Sequence, residues 1–173
     1  PAFDILFWNA DATNLSTALM TDFLDLFDAN AYKEAGTYDV AGHTLDLTKV
    51  KNDMFILGGT TDHITPWKAC YRSTQLFGGK NIEFILSQAG HMQAILNPPG
   101  NPKAKFFRND KKKKPPADVE KWLDGAEENA GSWWPYWIEW LQARAGKKVA
   151  AAKSLGSKKN KALEPAPGLY VLD

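Results

Sequence analysis

Two short, almost continuously apolar runs constrain the fold of this chain most strongly. Residues 53–57 lead into a pair of glycines, and residues 81–86 end shortly before Gly90. Runs of this length and composition are typical of strands buried on both faces of a parallel sheet. The segment between them, residues 66–77, predicts a helix because Pro66 suits a first helical turn and glycines follow its end. Strand, helix and strand in this order predict an α/β domain.

The rest of the chain predicts further elements around this unit. They are, in chain order, an amphipathic helix over 15–30 capped by Asn14 or Ser16, a hairpin over 37–47, a surface connection over 97–116, two helices over 119–129 and 133–145, and a tail over 146–173. Apolar side chains three and four residues apart predict the first helix. Proline, lysine and other polar or small residues predict an irregular structure for the connection and the tail.

The composition argues against several classes of protein. A length of 173 residues with 44% apolar and 24% charged residues fits a globular domain. A formal charge of +1 argues against a general nucleic-acid binder. No apolar run reaches the ~20 residues of a transmembrane segment, so none is predicted. One cysteine forms no internal disulfide, which favours a reducing, cytoplasmic setting, and the three histidines lack the spacing of metal ligands.

The loops that follow the two predicted strands each carry a residue capable of acid–base chemistry. Asp62 follows the first strand, and His91 follows the second. Functional residues of open α/β sheets collect beyond the carboxyl ends of the strands. An acid followed by a histidine fits the last two members of a hydrolase triad, in which the acid orients the imidazole and the imidazole deprotonates the nucleophile. A helix-capping role for Asp62 and a plain turn at His91 also fit these residues.

The nucleophile of such a triad has no counterpart in the sequence. Neither a Gly-x-Ser-x-Gly nor a Gly-x-Cys-x-Gly elbow occurs in it. Cys70 falls in the predicted helix after the acid, whereas the triad order places the nucleophile before the acid. We therefore expect Cys70 to be a packing residue, and the chain to supply two of the three triad members.

Several short motifs resemble, in the same order, segments of the polyhydroxyalkanoate synthases. They are Trp8-Asn9-Ala10-Asp11-Ala12-Thr13-Asn14, Asp62-His63-Ile64-Thr65-Pro66-Trp67, Gly90-His91, Asn97-Pro98-Pro99 and Gly131-Ser132-Trp133-Trp134-Pro135. The closing residues 164–171 are similar to the C-terminal signature of the short-chain, class I members. The resemblance extends across essentially the whole chain but covers only the C-terminal part of such an enzyme.

The resemblance implies a fold and a domain organisation. The fold is the C-terminal portion of an α/β-hydrolase-type fold, a mostly parallel sheet flanked by helices that is incomplete without upstream strands. Residues 1–36 are then the end of a cap region, and residues 37–145 are the C-terminal part of the core with the Asp and His loops. Residues 146–173 are a tail rich in Lys, Ala and Pro, and Pro1 corresponds to a cut in a longer chain.

The resemblance also implies an activity. The family members are acyltransferases that polymerise (R)-3-hydroxyacyl groups from coenzyme A thioesters and release coenzyme A. Their acid falls on Asp62 and their general base on His91, with no metal and no cofactor beyond the thioester substrate. Trp8 matches a family motif at the end of the cap and is a candidate pocket-lining residue. His63 is a candidate substrate contact because it lies next to the acid in the sequence. A buried core position for Trp8 and a loop position bonded to backbone for His63 fit these two residues as well.

The family further implies partners and a location. These are a growing polyester chain, a second copy of the chain in a homodimer, and other proteins at the surface of polyhydroxyalkanoate granules in the cytoplasm. Two other interpretations remain open, namely a catalytically silent module for binding or dimerisation, and a truncated serine esterase of the same fold. The esterase explains Asp62 and His91 but leaves the Asn-Pro-Pro, Ser-Trp-Trp-Pro and Pro-Ala-Pro-Gly segments without a role.

Overall fold

The computed structural model describes residue 10 and residues 12–110 and 114–165. Trp8, Pro1 and the closing motif from residue 166 onward lie outside the described residues. The chain divides into two units, Pro1–Ile138 and Glu139–Asp173. In the second unit, Gly156 and Lys161 form an isolated antiparallel bridge.

Strands and helices alternate from Met54 to Gln142 in the described residues, after a first helix and a short hairpin. The elements are α1 (Thr17–Ala29), β1 (Asp39–Val40), β2 (His43–Thr44), β3 (Met54–Gly59), α2 (Trp67–Leu76), β4 (Ile82–Ser87), α3 (His91–Ile95), β5 (Lys105–Arg108), α4 (Val119–Asp124), β6 (Glu127–Ala130) and α5 (Trp134–Gln142). The predicted strands at 53–57 and 81–86, the helix between them and the hairpin are confirmed. Ser16 caps α1 by accepting a hydrogen bond from the backbone of Leu19. No helix in the described part of the chain combines the length and apolar character needed to cross a bilayer.

The main sheet is mixed, with strand order β3-β4-β5-β6. Strands β3 and β4 are parallel, whereas β5 is antiparallel to both β4 and β6. The expectation of a mostly parallel sheet is therefore wrong for the described residues. A parallel neighbour needs a crossover of a dozen or more residues, usually a helix. The connection over residues 88–104 is long enough for a crossover, but it contains only the short helix α3. It leads back to the same end of the sheet, where the backbone of Gln88 donates to the carbonyl of Lys105 (2.9 Å).

Two segments differ from their predicted structure. The expected surface connection at 97–116 contains β5, whose adjacent residues Phe106 and Phe107 pack on opposite faces of the sheet. The helix expected over 119–129 ends at Asp124, and the polar residues that follow form β6. β6 lies at the edge of the sheet, where exposed polar side chains are compatible with a strand.

The two faces of the sheet carry separate apolar clusters. One contains Tyr71, Phe84, Leu86 and Trp122, with the ring centroids of Phe84 and Trp122 5.0 Å apart in an edge-to-face contact. Cys70 packs against this cluster, which confirms it as a packing residue. The other cluster contains Ile85, Phe106 and Trp133. Aromatic side chains from α2, α4 and the residue before α5 thus cover the strands that lead to Asp62 and His91.

Candidate functional site

The parallel pairing of β3 and β4 brings their following loops together. The last pair of the ladder joins Gly59 to Ser87, and both strands end at the same edge of the sheet. Beyond that pair, the backbone of Thr60 donates to the carbonyl of Ser87 (2.9 Å) and that of Thr61 to the carbonyl of Ala89 (3.2 Å). The two loops are therefore hydrogen-bonded side by side before they reach Asp62 and His91.

Gly59 allows this close approach of the two loops. A Cβ atom at Gly59 would lie 2.7 Å from the carbonyl oxygen of Ala89 and 2.9 Å from the Cβ of Ala94. At Gly90 the nearest atom, the hydroxyl oxygen of Thr61, would be 3.7 Å away, which is an ordinary contact. The site therefore requires glycine at the end of β3, whereas the glycine before His91 has room for a side chain.

Asp62 and His91 form the polar centre of the site. His91 Nδ1 lies 2.9 Å from Asp62 Oδ2. The side chain of Asp62 is 6% exposed and that of His91 is 34% exposed, so the acid is enclosed while the imidazole reaches solvent. Because an ionised carboxylate only accepts hydrogen bonds, Nδ1 is the donor in this contact, and Nε2 is the ring nitrogen left for proton transfer.

The loop around Asp62 keeps its carboxyl group ionised. Oδ1 accepts the backbone N–H groups of Ile64 and Thr65, both at 2.9 Å, and Oδ2 accepts the Thr65 hydroxyl at 2.7 Å. Burial opposes ionisation, but these bonds and the one from His91 outweigh burial and hold the pKa of Asp62 well below its ordinary value. Asp62 is consequently a fixed negative charge beside the imidazole.

The structure bears on two simpler interpretations, a helix-capping role for Asp62 and a plain turn at His91. Asp62 does bond loop N–H groups two and three residues ahead, as in an Asx-type turn, and it also pairs with His91. Helix α2 is capped by Pro66, without a side-chain hydrogen bond. His91 is the first residue of helix α3, so it does not occupy a plain turn.

Residues 132–134, which lead into and begin α5, hold the far end of α3. Trp133 Nε1 donates to the carbonyl of Ala94 (2.8 Å), and Trp134 Nε1 donates to that of Ile95 (3.0 Å). The Ser132 hydroxyl donates to the carbonyl of Asn97 just beyond the helix. A five-residue helix is marginal by itself, and its last carbonyls need partners. These indole groups, whose role sequence reasoning missed, therefore position the helix that begins at His91.

We predict that Trp134→Phe loosens α3 while keeping an aromatic ring in place. Loss of the N–H donor to Ile95 is expected to lower the free energy of unfolding by about 1 kcal/mol and to speed amide exchange in residues 91–97. Hydrogen exchange followed by mass spectrometry of the full-length protein measures this. Trp137→Phe is the matched control. It makes the same change at an indole whose contact is with another ring, that of Trp133 (centroids 5.9 Å apart). Equal exchange in both variants would contradict the role of the indole N–H.

A small cleft opens beside the acid and the histidine. It has a volume of about 190 Å³, and its walls are mostly apolar. Its lining includes Leu57, Gly59, Asp62, Thr65, His91 and Ile95. Exposed apolar side chains also occur at Ile64 on the loop after β3, at Met92 in α3 and at Leu96 just after that helix. An apolar cleft with few polar groups is typical of a site that binds a small, largely apolar molecule next to reactive side chains.

The other predicted site residues fall elsewhere. His63 is exposed and is not among the residues that line the cleft, and Trp8 lies outside the described residues. Cys70 Sγ donates to the carbonyl of Thr65 (3.6 Å), and burial raises the pKa of its thiol. Burial thus favours the protonated thiol at Cys70. Within the described residues, no group of three or more His, Cys, Asp or Glu side chains could hold a metal ion.

Known proteins match the chain over nearly all of its length. It is 48% identical over 99% of its residues to poly(3-hydroxyalkanoate) polymerase 1 of Ectopseudomonas oleovorans. It is 41% identical over 98% to the poly(3-hydroxyalkanoate) polymerase subunit PhaC of Cupriavidus necator, and 39% identical over 98% to the poly(3-hydroxyalkanoate) polymerase of Methylorubrum extorquens. No family model matches the chain. The chain spans 30%, 28% and 27% of the length of these three relatives.

Proposed function

The chain belongs to the poly(3-hydroxyalkanoate) polymerase family, and we propose that it supplies the acid and the general base of such an enzyme. The proposed reaction is polymerisation of (R)-3-hydroxyacyl groups from coenzyme A thioesters, with release of coenzyme A. The observation that carries the proposal is the hydrogen bond between Asp62 and His91, formed at the ends of adjacent parallel strands. The family's activity needs an imidazole base held by an acid, which is what this pair can provide.

We assign the chain to the C-terminal portion of an α/β-hydrolase-type fold. In this assignment residues 1–36 end the cap region, residues 37–145 complete the core, and residues 146–173 form the tail. The parallel pair β3 and β4, with α2 between them, supports the assignment, as does an acid after one strand and a histidine after the next.

The proposed mechanism uses His91 twice. Nε2 first takes the proton of a cysteine thiol, and the thiolate attacks the thioester carbonyl, so that a C–S bond to the enzyme forms while the bond to coenzyme A breaks. The leaving coenzyme A thiolate takes the proton from the imidazolium. His91 then removes the proton of a 3-hydroxyl group, whose oxygen attacks an acyl thioester. The new ester bond forms as the C–S bond of that thioester breaks, and the released thiolate takes the proton from the imidazolium. Asp62 stabilises the imidazolium at each step.

We propose that the nucleophilic cysteine belongs to residues outside this sequence. Cys70 is the single cysteine of the chain, and it packs against an apolar cluster as a protonated thiol. The apolar walls of the cleft suit the acyl part of the substrate, and no cofactor beyond the thioester enters the reaction.

The remaining parts of the proposal, which are the oligomeric state, location and partners, come from the family resemblance. We propose that the enzyme acts as a homodimer at the surface of polyhydroxyalkanoate granules in the cytoplasm, in contact with the growing polyester and granule-associated proteins. Exposed apolar side chains on α1, such as Leu24 (60% exposed) and Phe27 (80%), support a cap region that other residues cover.

We predict that the 173-residue chain by itself releases no coenzyme A from 3-hydroxybutyryl-CoA above the uncatalysed rate. The reason is that an acid and a base without the nucleophile form no covalent intermediate. Parallel assays of the chain and of the full-length protein that contains it, with a thiol reagent following coenzyme A, measure this. Sustained turnover by the chain alone would overturn the proposed external cysteine. Absence of turnover in the full-length protein as well would favour the silent binding module.

A further inference from the structure

The hydroxyl group of Thr65 touches both members of the acid–base pair. Thr65 Oγ1 lies 2.7 Å from Asp62 Oδ2, the same oxygen that lies 2.9 Å from His91 Nδ1. It is also 3.5 Å from His91 Nδ1. The backbone N–H of Thr65 donates to the other carboxylate oxygen of Asp62 at 2.9 Å. One residue therefore bonds both oxygens of the acid.

We propose that Thr65 is a positioning residue of the acid–base pair, whose hydroxyl shares Asp62 Oδ2 with His91 and fixes the direction and basicity of that oxygen. The inference rests on the proposed function of Asp62 and His91. A carboxylate group rotates in a broad, two-fold torsional well, so bonds to a single oxygen leave its plane adjustable. The N–H groups of Ile64 and Thr65 hold Oδ1, and the Thr65 hydroxyl holds Oδ2 toward the imidazole.

The shared oxygen also sets the direction of a pH effect. A hydroxyl that donates to Oδ2 disperses part of the negative charge that otherwise stabilises the imidazolium of His91. Without the hydroxyl, Oδ2 interacts more strongly with the protonated imidazole of His91. Cys70 on α2 is an ionisable group near the pair, since the charge of Asp62 acts on its thiol. Burial and the charge of Asp62 raise the pKa of Cys70, so its thiol stays neutral while a histidine titrates.

Three substitutions in the full-length protein separate the hydroxyl from the rest of the side chain. Thr65→Val keeps the branched shape and removes the donor, whereas Thr65→Ser keeps the donor and removes a methyl group. The pair Thr65→Ser and Thr65→Ala differs in the hydroxyl alone, and this pair gives the same comparison if the valine variant does not fold. Circular dichroism and thermal unfolding establish which variants are folded.

The measurement is kcat and KM for 3-hydroxybutyryl-CoA across the pH range in which histidine titrates. We expect Thr65→Val to lower kcat about tenfold with KM unchanged, and to move the acidic limb of the kcat profile upward by about half a pH unit or more. Thr65→Ser should follow the wild-type profile. A merely structural role of the side chain would leave the acidic limb in place.

Two results would overturn the role of Thr65. One is a kcat profile of the hydroxyl-free variant that superimposes on the wild-type profile, and the other is an equal shift in Thr65→Ser. His91→Gln, assayed in the same series, separates this failure from failure of the proposed function. If His91→Gln keeps its turnover, the function assigned to the pair is wrong. If His91→Gln loses turnover while the acidic limb of the Thr65→Val profile stays in place, only the positioning role of Thr65 is wrong.

Discussion

Replacement of His91 by glutamine is expected to reduce the turnover of the full-length protein by about 10⁴-fold. Glutamine approximates the size of the imidazole but cannot take a proton from a thiol or a hydroxyl group. The effect should appear in kcat and leave the fold intact, because the side chain of His91 is one-third exposed at the rim of the sheet. Release of coenzyme A from 3-hydroxybutyryl-CoA, together with circular dichroism of the same sample, measures both quantities.

Replacement of Asp62 by asparagine should have an effect of similar size through the tautomer of His91. The amide oxygen still accepts the N–H groups of Ile64 and Thr65, so the loop keeps its shape. The negative charge is lost, and an amide NH₂ facing Nδ1 favours the wrong tautomer of the imidazole. Near-normal polymerisation by either variant would refute the assignment of the pair.

The matched control for both substitutions is His43→Gln. His43 is an exposed residue of the β1–β2 hairpin, and the same substitution there should leave turnover and stability unchanged. His63→Gln supplies a second comparison, since His63 is exposed on the loop after the acid. A rise in KM in this variant would support a contact between His63 and the substrate, and unchanged kinetics would argue against that contact.

Substitution of Gly59 by alanine is expected to destabilise the protein by about 1–3 kcal/mol and to lower turnover as well. The new Cβ would lie within 3 Å of the Ala89 carbonyl oxygen and of the Ala94 side chain. Relief of these overlaps requires the loop after β4 and helix α3 to move away from β3. Because Asp62 follows β3 and His91 begins α3, such a movement lengthens the hydrogen bond between them.

Gly90→Ala is the matched control for the alanine at Gly59. Gly90 has a φ of −81°, which any residue adopts, and a Cβ there makes only ordinary contacts. Urea unfolding and turnover of both variants provide the comparison. If Gly59→Ala were as stable and active as Gly90→Ala, the close approach of the two loops would have no role in the site.

Parts of the fold with strong local signals could be predicted, and those without them could not. Strands β3 and β4 are dense apolar runs, and helix α2 follows Pro66, so all three were within reach of pattern analysis. Strand β5 is four residues long, and its two phenylalanines lie among lysines and prolines. Strand β6 is a polar edge strand that pattern analysis cannot distinguish from the end of a helix. Helix α3 has only five residues, too few for an apolar period.

In the candidate site, too, the residues with a clear local signal in the sequence could be predicted and the others could not. Asp62 and His91 were accessible because each follows a buried strand in the order of a triad. Thr65 was missed, although its spacing three residues after an acid is a signal for a local side-chain contact. Trp133 and Trp134 were predicted as helix residues, and nothing in their spacing indicated that their indole groups bond the carbonyls of α3.

The amino-acid sequence by itself determined which residues could perform the chemistry. Apolar density, proline and glycine positions, and the placement of polar residues after strands are local properties, and so are the motifs that resemble a family. Only the tertiary structure decided that Asp62 and His91 meet at 2.9 Å with Thr65 sharing the same oxygen. The reason is that this contact depends on the register of β3 against β4, on the absence of a side chain at Gly59, and on hydrogen bonds from a segment some forty residues along the chain.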